Sequence, residues 1–149
     1  MNEKYTLADL VPHSGKMSLL DQVIDITDNG LKAVVQVTDK SMFVEPQGVS
    51  SIIGIEYMAQ AIAAYSGSQE RLKNEKPKLG FLLGARNYSA SVGYFPLGTR
   101  LIVEVQLEMK ADNGLNVFYG TLRSDTIEAS ARLNVFQPDN AEVFLKGML

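Results

Sequence analysis

The chain has 149 residues, 46% of them hydrophobic and 21% charged, which is one domain's worth (1–149) with a core that needs no staples. No cysteine and a single histidine exclude disulfides, thiolate metal sites and a histidine-rich metal centre. A net charge of −3 argues against nucleic acid or an anionic membrane as partner.

The N-terminus, MNEKYTLADLVPH, lacks the basic start and apolar stretch of a signal peptide. No run reaches the roughly 18 apolar residues of a membrane span, so a cytoplasmic protein is expected. His13 lies in Val11-Pro12-His13-Ser14-Gly15-Lys16-Met17, where Pro12 and Gly15 suggest a fixed turn. A lone loop histidine is either structural or solvated, or else part of a site, and these readings stand. Leu20–Thr27 and Leu31–Thr38 read as strands flanking Asp28-Asn29-Gly30, a strong hairpin signal. Asp21 and Asp25 alternate outward on the first of them and read as a solvated edge.

One long helix follows. Ser50 and Ser51 can cap it, and apolar residues recur at Ile52, Ile55, Met58, Ala59 and Ile62. Apolar residues fill most of the opposite face too, which predicts a buried helix. Gly54, Ala59, Ala61, Ala63 and Ala64 would let a sheet approach closely. Between Val49 and Tyr65 the one carboxylate is Glu56. An ionised carboxylate among such neighbours costs several kcal/mol, of order 3–5, unless paired or neutralised. That would make Glu56 a usable acid or base near neutral pH, close to the N–H groups that begin the helix. The bland alternative is a Glu56 that faces a solvent channel or pairs with Arg86 or Arg100.

Glu70–Lys78 (ERLKNEKPK) is a charged connector, best read as a solvent loop where the helix leaves the core. Strands are predicted at Leu79–Ser89, Arg100–Lys110, Asn116–Arg123 and Ile127–Phe136, with a turn at Asp112-Asn113-Gly114. Arg86, Asn87 and Tyr88 could line a cleft, though their spacing does not demand it. A single helix cannot cover both faces of a parallel sheet, so an antiparallel sheet curled around the helix is expected. A partner chain would cover the sheet's outer face and edges, which makes an oligomer the expectation. No phosphate-cradling loop, dinucleotide fingerprint, G-x-S-x-G or acidic cluster is present, so neither cofactor nor metal is expected.

Three segments carry a resemblance. Val11-Pro12-His13-Ser14-Gly15-Lys16-Met17-Ser18-Leu19-Leu20-Asp21 resembles the Pro-His-x-x-Pro-x-Leu-Leu-x-Asp opening of the β-hydroxyacyl-ACP dehydratases. Gly54-Ile55-Glu56-Tyr57-Met58-Ala59-Gln60-Ala61 resembles their catalytic helix, and Gly93-Tyr94-Phe95-Pro96-Leu97-Gly98-Thr99-Arg100-Leu101 their Pro-x-Gly strand entry. Phe43–Gly48, Gly80–Gly84 and Asn134–Pro138 are similar to the dehydratase-like subunits of aryl polyene biosynthesis. The resemblance implies an α+β hot-dog fold of about six strands wrapped around one long central helix. It also implies homodimers, or heterodimers of two hot-dog subunits that share a site.

The resemblance implies reversible loss of water from a 3-hydroxyacyl thioester on an acyl carrier protein. The main dehydratases place a catalytic histidine in a Gly-His-Phe-Pro loop; here that position is Met42, in Ser-Met-Phe-Val-Glu-Pro. Either His13 takes the role of base, or a partner supplies one, or the chain is not catalytic by itself. Glu56 is assigned as the group that protonates or orients the leaving hydroxyl. Gln60, one turn on, would hold that carboxylate, or else is a packed core amide. Ser51 matches the position whose backbone N–H meets the thioester carbonyl. The rivals are an acyl thioester hydrolase on the same fold and a non-catalytic, carrier-binding subunit of a heterodimer.

Overall fold

The computed structural model describes residues 18–73 and 80–137. The opening motif with His13 lies outside the described residues. In chain order the elements are β1 (Gln22–Ile26), β2 (Gly30–Gln36), β3 (Val44–Glu45), β4 (Gly48–Ser50) and a 3-10 turn (Ser51–Ile53). Helix α1 (Gly54–Leu72), β5 (Phe81–Ala90), β6 (Tyr94–Phe95), β7 (Arg100–Lys110), β8 (Leu115–Arg123) and β9 (Glu128–Phe136) follow.

Both predicted turns close hairpins. The Thr27 N–H donates to the Gly30 carbonyl at 2.9 Å, and Ala111 N–H to the Leu115 carbonyl at 2.9 Å. The main sheet has the order β1-β2-β7-β8-β9-β5, antiparallel throughout. Period-2 alternation turns one face of every strand inward. Leu31, Ala33 and Val35 on β2 stand opposite Val105, Val103 and Leu101 on β7, and all six are buried. Phe118, Leu122, Ala131 and Leu133 continue that face across β8 and β9. Helix α1 lies on it, burying Met58, Ala61, Ile62, Ala64 and Tyr65. Gly120 on β8 permits the approach: a Cβ there would sit 2.8 Å from Met58 Sδ. The Tyr65 hydroxyl donates to the Asp28 carbonyl at 2.6 Å and ties the helix to the first hairpin. This is the hot-dog architecture expected.

Three expectations need correction. The helix is not buried all round: Ile52 is 60% exposed and Glu56 is exposed, because the sheet covers only one side. Neither serine caps by its side chain; the 3-10 turn carries the chain from β4 into the helix instead. The helix does not leave the core at Glu70 but runs on to Leu72. Glu70 is only 6% exposed and accepts a 2.8 Å hydrogen bond from Gln137 Nε2. The sheet's outer face is polar. It carries Lys32, Glu104 and Thr121 in register, with Arg132 on Glu108 at 3.1 Å and over the Tyr119 ring.

A small second sheet, β3-β4-β6, was not foreseen. Its strands of two and three residues are too short to show alternation. It delivers the chain to the start of the helix. Among the described residues no helix is long and apolar enough to cross a membrane.

Candidate active site

Glu56 stands in the first turn of α1, with its side chain on the side turned away from the sheet. It opens on a cleft of about 410 Å³ lined by Leu19, Met42, Phe43, Ile52, Ile53, Ile55 and Gln60. The neighbours are greasy, as the sequence suggested, but the carboxylate is not dry within this chain. The alternative of a structural ion pair is not seen. The ion pairs among the described residues, Arg123–Glu128 and Arg132–Glu108, leave out Glu56, Arg86 and Arg100.

The loop from Thr38 to Pro46 forms the opposite wall. Ser41 folds it back, its N–H donating to the Thr38 carbonyl at 3.1 Å and its hydroxyl accepting from Thr38 N–H at 2.8 Å. Phe43 then adopts φ +66°, a left-handed conformation that is costly for a bulky residue, and remains 53% exposed beside the cleft. Met42 lines the same cleft as Glu56. The position where the resembled enzymes carry histidine is thus occupied by a thioether that cannot accept a proton at neutral pH.

Gln60 also lines the cleft, and its Oε1 accepts the Leu19 N–H at 2.7 Å. No hydrogen bond among the described residues joins it to Glu56. It anchors the segment entering β1 against the helix. The Ser51 amide is likewise occupied, because the β4–β6 ladder extends by one bond, from Ser51 N–H to the Gly93 carbonyl at 2.9 Å. This is the N–H that the sequence reading offered to a thioester carbonyl, and here the Gly93 carbonyl holds it. The Ser51 carbonyl accepts the Tyr88 hydroxyl.

Leu19 and Met42 also border a second cavity of about 590 Å³, whose lining includes Asp21, Gln36, Lys40 and Tyr57. Tyr57 follows Glu56 in sequence but points about 100° around the helix, so adjacent residues serve adjoining cavities. Burial first, then the Asp21 carboxylate and Tyr88, push the Tyr57 phenol up to about 12. It stays protonated, hence a donor, at any ordinary pH. Met42 was placed at the site only by the resemblance; Tyr57 and Phe43 were not singled out as wall residues, since nothing in their spacing distinguishes a cleft wall from core. Among the described residues no group of three or more His, Cys, Asp or Glu is placed to hold a metal.

A family model described as ApeP-like, ApeP dehydratase, matches residues 5–146. The dehydratase heterocomplex ApeI:P from Xenorhabdus doucetiae is 29% identical, covering 95% of this chain and 96% of that one, with a TM-score of 0.84. A protein from Pyrococcus horikoshii is 11% identical over 91% of this chain and 96% of that one, with a TM-score of 0.65. A thioesterase from Pseudomonas aeruginosa is 13% identical over 77% and 78%, with a TM-score of 0.56. The last two likenesses show the fold alone. No curated protein matches the chain significantly.

Proposed function

The chain belongs to the ApeP-like dehydratase family, and on that premise we propose that it works as one half of a shared-site dehydratase. Its substrate is a 3-hydroxyacyl group held as a thioester on an acyl carrier protein. Its cleft is completed by a second hot-dog chain, as the heterocomplex relative suggests.

The observation that carries this reading is the open cleft. A carboxylate stands in an apolar hollow whose facing wall offers Met42 where an imidazole would be expected. Water elimination needs two proton transfers: a base takes the C2 proton, and an acid gives a proton to the departing C3 hydroxyl. The C2 electron pair becomes the C2–C3 double bond as the C3–O bond breaks, and water leaves. Glu56 serves the hydroxyl. The base is an imidazole, either His13 or a histidine of the partner at the mouth of the cleft. Covering Glu56 with a partner would remove it from water and strengthen each electrostatic contact it makes.

The test is turnover of a 3-hydroxyacyl carrier substrate by this chain alone, by a hot-dog partner with a Gly-His-Phe-Pro loop alone, and by the two mixed. Activity that needs both chains and is lost on Glu56→Gln is expected. Activity that survives Glu56→Gln in the mixture would make this chain the structural subunit that Met42 favours. Release of free carrier thiol without enoyl product would instead identify a hydrolase.

A further inference from the structure

We propose that Tyr88 is a positioning residue for Glu56, a role that rests on the dehydratase reading above. Tyr88 reaches its place through an irregularity in β5. Arg86 pairs with Arg132 and Ser89 with Ser130, so β5 carries one more residue than β9 over that span. This is a bulge, and bulges re-aim side chains. Asn87 absorbs it at φ +57°, a conformation asparagine tolerates better than most residues. Arg86 and Asn87 are exposed, whereas Tyr88 is turned inward, half-buried against the core.

There the Tyr88 hydroxyl donates to the Ser51 carbonyl. The same carbonyl accepts the Gly54 N–H, and the Ser51 N–H is held by Gly93. The two peptide units flanking Ser51 are therefore fixed, one from β6's approach and the other from β5 and the helix itself. Gly54 lets the phenol in: a Cβ there would collide with the Tyr88 hydroxyl and lie 2.6 Å from Leu122 Cδ1. Glu56 stands in the next turn on that anchored stem. Burial pushes the Tyr88 phenol up to about 12, so it remains a donor across the working pH range. Because β5 ends the sheet among the described residues, the contact also links that edge to the turn just before the one that carries the carboxylate.

The experiment uses the mixed, active complex with a 3-hydroxyacyl carrier substrate. Tyr88→Phe is expected to lower kcat by about tenfold or more, the scale of a slight misplacement, with KM within about twofold. In the chain alone, amides of Ile53–Met58 should exchange faster while those of β7–β9 do not change. Asn87→Val, which disfavours the left-handed turn, should reproduce both effects if Tyr88→Phe folds poorly. Unchanged kcat in an active complex overturns the inference and leaves the dehydratase reading intact. So does a rise in KM with faster exchange throughout the sheet, the signature of general loosening. A wild-type complex without turnover overturns the dehydratase reading and this inference with it.

Discussion

In the proposed reaction, the behaviour of Glu56 depends on what surrounds its carboxylate after assembly, not on what the single chain buries. Ile52, Ile53, Ile55 and Phe43 make a rim that would be dry once covered. Replacing Glu56 by Gln keeps the shape and removes the transferable proton, so kcat of the active complex should fall by about 10²–10⁴. A drop below threefold at saturating substrate would remove Glu56 from the chemistry. Met42 permits the converse experiment. If the cleft lacks only an imidazole on that wall, Met42→His should give the isolated chain measurable turnover. No gain over background would mean that the partner supplies more than a base. The sequence revealed Glu56 because a lone carboxylate interrupts an apolar run. Its exposure could not be read there, since apolar neighbours look alike whether they face the core or a future interface. The hydrogen bond from the Ser51 amide to Gly93 was hidden for a related reason: no side-chain pattern says which carbonyl a backbone N–H will bond.

At the scale of elements, α1 and the long strands were legible because their periods are sustained. Arg100–Lys110 was expected as a strand and is one from end to end. The helix was misjudged at its ends, where Glu70 remains in the core by pairing with Gln137, a contact sixty-seven residues apart in sequence. Tyr57 gives this element a pH signature. In the unfolded chain its phenol ionises near 10, but in the fold near 12. Between those values the folded state binds the extra proton, so stability is fully present below pH 10 and falls as pH rises towards 12. The two-unit shift corresponds to about 2–3 kcal/mol. Urea unfolding at pH 9, 11 and 12 should show this decline, and Tyr57→Phe should flatten it by a comparable amount. Parallel declines in both proteins would mean that the phenol ionises alike folded and unfolded.

At the scale of the whole molecule, the described residues leave two places open: the helix face bearing Ile52 and Glu56, and the outer edge of β5. That edge exposes Leu82 and Leu83, the latter by 59%, next to backbone groups with no strand beside them among the described residues. An edge of this kind is a template for another strand, and natural chains that must stay alone blunt it with lysine. Leu83→Lys applies that device deliberately. The side chain is already in solvent, so folding should be almost unaffected, within about 0.5 kcal/mol. Association with a hot-dog partner should weaken by at least tenfold, and dehydratase turnover should decline in proportion to complex lost. Sedimentation of the mixed chains measures the first effect and carrier-substrate turnover the second. Full association with Leu83→Lys would place the partner elsewhere, on the Ile52 face alone. Lost association with retained turnover would show that this chain carries a complete site after all.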